Sequence, residues 1–425
     1  MWIIVPLLWA SCSRDHSDAV IPADDEPVSR YHVAQTKALE SLQVFLDDME
    51  PAQTRSSGTR RQVKTVETVA APAALTRSGQ YDAENLFYVV SFEGDEGCAI
   101  LAADSRLEPV IALTDVGALT LEDFLKATSP ATRADNSSVG DDDSFTPVAE
   151  GEEGAFIAGL LTDYAIVTLS SGGSDVDMPE DDIEDSPSDY YYQIAERVGP
   201  LLKTKWDQTN SQGCWAVVIA QICGYHRFPA NYNGHTYNWN DIYKYKSFID
   251  GVWSGNYSYR DKLTVLLNDI MEAGDTKPHG LLNDSGTAKA AGKGMGRLGF
   301  VNVDIDRSYN ESTILSMLRQ GKPVPFRGKR DGFLGINGKG HSWVIDGFIR
   351  SKDMNNRYAD KKYVHCNFGW STGNHDGYYF SGSFVIGYKD LIYERDLNES
   401  ASEQAHEYYG TNYSEAHAYI NYDLP

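Results

Sequence analysis

Short apolar runs separated by polar turns dominate the first half of the chain. Residues 87–90, 98–101 and 110–113 form three such runs, with Gly, Asp and Glu in the turns between them. Runs of this length and spacing are typical of strands joined by hairpins. Before them, the apolar residues of 33–49 recur at helical spacing. The pattern predicts a separate α+β unit over about 30–170, in which an amphipathic helix precedes a hairpin-rich sheet.

The second half, about 190–425, contains both periods. Apolar helical stretches open at 214, 263 and 314, and a β-rich alternation covers 341–348. A strand-like run at 417–422 is expected to close the sheet. The many glycines of 328–340 predict a mobile flap. We therefore expect a second folded unit that holds both helices and strands.

An acidic segment separates the two units. Residues 171–189 are rich in Asp, Glu, Ser, Gly and Pro, a composition that cannot bury enough apolar surface to fold. We interpret this segment as an exposed linker, where proteolytic cleavage is tolerated. A second polar stretch, 128–154, carries three consecutive aspartates at 141–143 and is predicted to be a long loop of the first unit.

Composition narrows the class of protein. The chain has 425 residues, enough for two domains, and 41% of them are hydrophobic, enough for a proper core. Aromatic residues make up 12%, which is typical of β-rich extracellular proteins rather than of disordered chains. The net charge of -24 argues against nucleic acid as a partner, because phosphate binding depends on basic patches.

Residues 1–12 have the pattern of a targeting segment. The apolar run is too short to span a bilayer as a helix and ends in small residues before Cys12. Residues 8–12 (LWASC) resemble a bacterial lipoprotein box, in which the cysteine is lipidated after cleavage. An ordinary signal peptide and a structural helix are the alternatives. We expect an exported protein: a surface or outer-membrane lipoprotein anchored through Cys12, or a periplasmic or secreted protein.

The cysteines and histidines indicate neither a disulfide framework nor a metal site. The five cysteines are an odd number and lack zinc-like spacing. The ten histidines are scattered, without HxxxH or HExxH spacing and a third ligand. We predict no cofactor and no metal. The cysteines are Cys12, Cys98, Cys214, Cys223 and Cys366.

Cys214 has the surroundings of a catalytic thiol. It stands at the start of an apolar helical stretch, and the amides and dipole of a helix N-terminus lower a thiol pKa. Gln208, six residues earlier, can donate its side-chain amide to the oxyanion of acyl transfer beside the backbone N–H of Cys214. Gln212 is a rival donor. A buried structural cysteine is the alternative interpretation of Cys214.

Two downstream segments supply the partners that a thiol nucleophile needs. His341 stands at the head of a β-rich alternation and is the candidate base that takes the thiol proton. Asn367 is the candidate group that orients the imidazole. Trp370 is the candidate wall that shields the imidazole from water, although it could equally be a core residue of a hairpin.

These segments resemble the streptopain family of the papain-like cysteine peptidases. The run 214–229 (CWAVVIAQICGYHRFP) is similar to its nucleophile helix, and His341 occupies the head of its Val-Ile-Asp-Gly strand. The Asn-aromatic-Gly-Trp and Asp-Gly-aromatic segments at 367–370 and 376–378 and the Tyr-Asn-Trp-Asn turn at 237–240 resemble further family features. The alternation around 87–104 resembles the family's propeptide, although an unrelated carbohydrate- or protein-binding domain is the alternative for the first unit.

The resemblance implies a papain-like α+β fold, with a helical part and an antiparallel sheet part, behind an α+β prodomain. It implies that the prodomain covers the cleft and inhibits the enzyme, and that Ser285 and Gly286 help to form the substrate cleft. We group Gly340, next to the histidine, with these substrate-binding residues. The chain departs from the family in the short Gln208–Cys214 link and in Phe368, where the family usually has Trp.

The sequence therefore predicts a secreted cysteine endopeptidase made as an inactive zymogen. Its partners would be protein or peptide substrates and its own propeptide, which would be freed by cleavage in the acidic linker. A catalytically silent surface lipoprotein that keeps the fold for protein binding is the alternative.

Overall fold

The computed structural model describes most of both predicted units. Cys12, Gln208, Gln212, Ser285 and Gly286 lie outside the described residues, as does the predicted linker at 171–189. The described residues are 29–49, 61–71, 83–128, 146–170, 192–207, 213–249, 252–275, 288–306, 308–330, 339–354, 359–384 and 417–425.

Helices and strands alternate irregularly along the chain, as the mixed periods predict. The helices of the described part are α1 (Gln35–Met49), α2 (Leu121–Thr128), α3 (Glu153–Ser170), α4 (Cys214–His226), α5 (Trp239–Ile242), α6 (Arg260–Ala273), α7 (Ala288–Leu298) and α8 (Glu311–Arg319). None of the helices in these ranges is long and apolar enough to cross a membrane.

The strands carry most of the architecture. They are β1 (Val63–Ala70), β2 (Asn85–Phe92), β3 (Cys98–Ala102), β4 (Val110–Thr114), β5 (Thr146–Pro147), β6 (Tyr192–Val198), β7 (Asn231–Tyr232), β8 (His235–Thr236), β9 (Ser247–Ile249), β10 (Val252–Ser254), β11 (Val301–Asp306), β12 (Val324–Arg330), β13 (Lys339–Asp353), β14 (Lys361–Asn367), β15 (Gly377–Phe380) and β16 (His417–Asp423).

The first unit has the predicted helix and hairpin-rich sheet. β1, β2, β3 and β4 form consecutive antiparallel pairs. The helix begins at Gln35 rather than at Val33, because the Val33 amide donates to Ala103 O (3.0 Å) and His32 bridges to Asp104. These two residues therefore extend the sheet before the chain turns into α1.

One continuous sheet joins the two units. β4 pairs antiparallel with β15, so that the sheet reads β1-β2-β3-β4-β15-β14-β13-β12-β16-β11. Gly377 permits the close approach at this junction, since a Cβ there would lie 2.4 Å from Leu113 O. The strands of the first unit thus continue the sheet of the second. The domain boundaries at 30–170 and 190–425 stay a prediction.

Helices cover both faces of this sheet. α1 packs its Leu42, Leu46 and Met49 against one face, where alternate residues of β2 such as Tyr88 and Val90 are buried. The opposite residues of β2 belong to a larger core that includes α3, α4 and α6. The alternation of strand side chains explains the two clusters.

Two local details differ from the expectations for the second half. β16 lies between β12 and β11 rather than closing the sheet, because β11 adds one more strand outside it. α8 begins at Glu311, earlier than predicted, because the side chain of Asn310 accepts a hydrogen bond from the Thr313 amide (3.1 Å) and caps the helix.

Candidate active site

Cys214 is the first residue of α4, as the sequence predicts. Gly213 precedes it in an extended conformation and provides no side-chain cap, so the first amides of the helix point toward the thiol region. The helix is buried along residues 214–224, which matches its apolar character on all sides. Burial fixes the helix, and through it the position of the sulfur.

The thiol of Cys214 is protonated in this state. Burial raises its pKa above the usual value, although the amides of Cys214 and Trp215 and the hydroxyl and amide of Ser342 all favour the thiolate. The Ser342 hydroxyl lies near the sulfur and favours its ionised form. Among the described residues, this hydroxyl has no hydrogen-bond partner of normal geometry. The predicted pKa-lowering groups are present, and burial outweighs them.

His341 is the third residue of β13 and is almost completely buried, with 1% of its surface exposed. Its imidazole stacks on Trp370 with 4.4 Å between ring centroids. Its Nε2 lies 2.7 Å from Phe368 O. Because a carbonyl only accepts, this bond places the proton of the neutral imidazole on Nε2 and leaves Nδ1 as the basic nitrogen.

No hydrogen bond joins the imidazole of His341 to the thiol of Cys214 in this state. His341 and Ser342 are consecutive in β13, and consecutive side chains of a strand project to opposite faces. The amide and the hydroxyl of Ser342 both act on the Cys214 sulfur, so the sulfur lies beside the start of β13. Burial lowers the pKa of His341 to about 4, which keeps the ring neutral at pH 7.

Asn367 binds other groups than the imidazole of His341. Its Oδ1 accepts from Gln221 Nε2 (2.9 Å), and its Nδ2 donates to Thr204 O (3.1 Å). Gln221 is a buried residue of α4 and also accepts from the Thr204 hydroxyl (2.9 Å). Asn367 therefore ties the nucleophile helix to β14, and its predicted contact with His341 is not made here.

Trp370 lies beside the imidazole of His341, and its shielding role stays a prediction. The centroid of its ring lies 4.4 Å from that of His341 and 4.9 Å from that of Phe368, and both contacts are stacked. The Phe368 amide is held by Asp376 Oδ1 (2.8 Å), a fully buried carboxylate paired with Lys205 (2.7 Å). The stack therefore has a fixed backbone beneath it.

Gly340 lies under a segment of the first unit. β5 pairs in parallel with the start of β13, with Pro147 opposite Gly340. The Val148 amide donates to Gly340 O (3.3 Å), and Lys339 forms an ion pair with Glu152. The backbone beside His341, which we predict to bind substrate, is thus covered by residues 146–152. Substrate binding by Gly340, Ser285 and Gly286 stays a prediction, as does the role of Gln208.

α3 covers the histidine itself. Phe156 sets its ring edge against the imidazole, with centroids 6.4 Å apart at an interplanar angle of 76°. Further along the helix, Asp163 binds the guanidinium of Arg330 through two hydrogen bonds of 2.8 and 3.2 Å. The first unit thereby contacts the strands on both sides of the 331–338 segment.

A second buried histidine links the two units elsewhere. His365 Nδ1 lies 2.6 Å from Asp346, and its Nε2 lies 3.1 Å from Asp115 at the end of β4. Burial alone would lower the pKa of His365, but the two carboxylates raise it to about 10. Asp115 belongs to the first unit, so this charged pair bridges the β4–β15 junction.

Sequence reasoning missed several of these residues. Ser342 and Phe156 carry no motif of their own, and only the strand alternation after His341 could have indicated which neighbour faces the thiol. Asp376 had a signal, because an acidic residue at the head of the aromatic run 377–380 is costly to bury without a partner. In the described ranges, no group of three or more His, Cys, Asp or Glu side chains could hold a metal ion.

Cys214 begins a buried helix, His341 lies near the start of β13, and the N-terminal unit covers this part of β13. Residues 296–379 match the Peptidase C10 family, and residues 30–130 match the Spi protease inhibitor family. The two matches cover separate parts of the chain, and they confirm the predicted cysteine peptidase and its prodomain. A comparison with curated proteins finds no match.

Two solved structures of Prevotella intermedia proteins are similar to the chain. A mutant fragment of prointerpain A is 16% identical with a TM-score of 0.49, covering 85% of this chain and 100% of that one. Active wild-type interpain A cysteine protease is 19% identical with a TM-score of 0.36, covering 54% of this chain and 95% of that one.

Proposed function

We propose that the chain is an exported endopeptidase in which Cys214 and His341 form the catalytic pair. The observation that carries the proposal is the position of Cys214 at the uncapped N-terminus of a buried helix. Its sulfur lies beside Ser342, the residue that follows His341 in β13. The Cys214 thiol would attack the peptide carbonyl carbon while Nδ1 of His341 takes the thiol proton. Gln208 and the Cys214 amide would stabilise the oxyanion.

The same histidine serves both halves of the reaction. The protonated imidazole gives its proton to the leaving amine, which breaks the peptide bond and leaves an acyl thioester on Cys214. His341 then takes a proton from water, whose oxygen attacks the thioester carbon. The C–S bond breaks, the carboxylic acid leaves, and the imidazole returns its proton to the Cys214 thiolate. Trp370 keeps water from the imidazole face, and Asn367 holds β14 against α4 in our proposal.

The described state is the latent form in this proposal. The thiol is protonated, no hydrogen bond joins it to the imidazole, and residues 146–163 cover the end of β12 and the start of β13. Activation would require cleavage in the 171–189 linker and departure of the prodomain. The alternative of a catalytically silent binding protein is favoured only by the lack of a hydrogen bond between Cys214 and His341, which the covering prodomain also explains.

An epoxysuccinyl inhibitor that alkylates active thiols separates the two possibilities. After removal of the prodomain we expect one adduct, on Cys214, and none in the His341→Ala variant. We also expect Cys214→Ala to abolish self-cleavage in the linker. A folded, prodomain-free protein with no adduct on Cys214 would exclude the peptidase mechanism. Unchanged processing of Cys214→Ala would assign maturation to another protease.

Export and lipidation at Cys12 complete the proposal. The apolar run that ends at Cys12 supports it. In a bacterial expression host, the wild-type protein should fractionate with membranes, and Cys12→Ser should become soluble or stay unprocessed. Mass spectrometry of the N-terminal peptide distinguishes a lipidated cysteine from an ordinary signal-peptide cleavage.

A further inference from the structure

Arg330 is the last residue of β12 and is nearly buried, with 9% of its surface exposed. Its Nε and Nη2 donate to the two oxygens of Asp163, at 2.8 and 3.2 Å, and its Nη1 donates to Ala127 O at 3.0 Å. Asp163 and Ala127 belong to the prodomain. A paired fork of this kind is the geometry in which a guanidinium recognises a carboxylate.

The prodomain is shaped around this guanidinium. Gly159 of α3 lies directly against it, since a Cβ at that position would stand 2.4 Å from the guanidinium carbon and from Nη1. Only a helix backbone without a side chain leaves this space. The Asp163 carboxylate lies one turn further along the same helix. α3 thus offers Arg330 both an open notch and a carboxylate.

Arg330 and His341 share one face of the sheet. Gly328 of β12 lies directly opposite His341 of β13, and residues directly opposite in an antiparallel pair project to the same side. Arg330 is two residues beyond Gly328, so it projects to that side as well. Diagonal neighbours of this kind lie about 7–8 Å apart.

One helix covers both groups. Phe156 contacts the His341 imidazole, and Asp163, seven residues later and therefore on the same side of α3, binds Arg330. A base that acts on a bound peptide must border that peptide. The face that carries His341 is consequently the face that substrate must reach, and Arg330 lies beside it.

We propose that Arg330 is a specificity-determining residue that binds an acidic side chain of the peptide substrate once the prodomain has left. The proposal rests on the peptidase function proposed above. Asp163 holds the place of the substrate carboxylate in the latent form. Departure of the prodomain removes the carboxylate and the carbonyl that Arg330 binds here, and a guanidinium favours an ionised ligand over a neutral amide of the same shape.

Matched peptides test this preference on the activated enzyme. Each pair is blocked at both ends, so that no terminal carboxylate is present, and differs only by Asp against Asn at one position near the scissile bond. We expect kcat/KM to favour Asp by about tenfold or more at one position. In Arg330→Gln the ratio should fall close to one, through a higher KM for the Asp peptide.

Arg350→Gln is the control, because it removes the same charge about 30 Å along β13 from His341. It should keep the wild-type ratio, and Arg330→Lys should keep part of it, since an ammonium cannot bind a carboxylate as a fork. A wild-type enzyme that cleaves Asp and Asn peptides equally at every position overturns the proposal even where Arg330→Gln fails to fold. Loss of all cleavage with no Cys214 adduct would instead contradict the peptidase function.

Discussion

Phe156 of the prodomain sets its ring edge against the imidazole of His341, with the ring centroids 6.4 Å apart. Trp370 stacks on the same imidazole, with 4.4 Å between ring centroids. The histidine is thereby enclosed by apolar rings, one of which belongs to the prodomain. Latency and the buried, neutral state of His341 have a common structural cause.

Truncation of Phe156 should loosen this enclosure. Phe156→Ala removes a side chain that is 4% exposed, and loss of a buried phenylalanine costs about 3–5 kcal/mol of unfolding free energy. In the protein with Cys214 intact, we expect Phe156→Ala to process itself faster. In the Cys214→Ala background, where cleavage is prevented, we expect a lower midpoint of denaturant unfolding.

Phe124→Ala is the matched control for this prediction. Phe124 is equally buried but packs on Phe87 inside the prodomain, with centroids 5.6 Å apart. It should lower the unfolding midpoint without exposing His341. If both variants process at the same rate for the same loss of stability, the Phe156–His341 contact has no specific part in latency.

Acid should destabilise the proenzyme. Burial lowers the pKa of His341 and of His375 to about 4, against an ordinary value of about 6.5. The unfolded chain takes up these protons first, so stability falls as the pH drops from about 6.5 to about 4, by about 1.4 kcal/mol per pH unit for each proton. His226, also lowered to about 4, adds to the effect. His365, whose pKa is raised to about 10, opposes this slope near pH 6.5 and above, and it adds little below about pH 5.5, where it is protonated in both states.

Unfolding of Cys214→Ala proenzyme by guanidinium at pH 7, 6 and 5 measures this slope. His341→Phe keeps an apolar ring in the enclosure and removes one titrating group. The slope of its unfolding free energy against pH should be smaller than in the parent protein by the equivalent of about one proton. Identical slopes in the two proteins would mean that His341 is not buried and neutral in solution.

The two carboxylates on His365 should contribute unequally. Asp346 is 1% exposed and also accepts from the Leu202 amide (3.0 Å), so Asp346→Asn strips a buried cation of its inner partner and should cost about 3 kcal/mol. Asp115 keeps 38% of its side chain exposed, and water screens its charge, so Asp115→Asn should cost under about 1 kcal/mol. Denaturant unfolding of the two variants in the Cys214→Ala background compares them, and the reverse order would contradict the bridge described here.

The local elements of this fold were predictable because each has a short-range cause. The helix behind Cys214 is apolar on all sides, and the strand that starts near His341 alternates, so both could be placed from the sequence. β2, β3 and β4 follow from apolar runs bounded by turn residues. Composition and period decide such elements without reference to distant parts of the chain.

Relations across the chain were not predictable in this way. The side of β13 that faces Cys214 depends on its register against β12 and β14, which a one-residue slip would invert. The pairing of β4 with β15 joins edges far apart in sequence. Motif reasoning placed Asn367 beside the imidazole, whereas the buried amide of Gln221 binds it. An unpaired buried amide is costly, and this cost favours the observed pairing.

Gly159→Ala should reveal how closely α3 fits Arg330. The added methyl group would stand 2.4 Å from the guanidinium, so the Arg330–Asp163 pair must shift, and overpacking of this kind costs about 1–3 kcal/mol. In an Arg330→Ala background the space is empty, and alanine favours a helix over glycine by up to about 1 kcal/mol. The same substitution should then be neutral or stabilising. The four proteins of this cycle, unfolded by denaturant in the Cys214→Ala background, give the coupling between the two positions. Stabilisation by Gly159→Ala in both backgrounds would show that Arg330 does not occupy the notch, whereas a reversal of sign places the guanidinium against α3 in the latent enzyme.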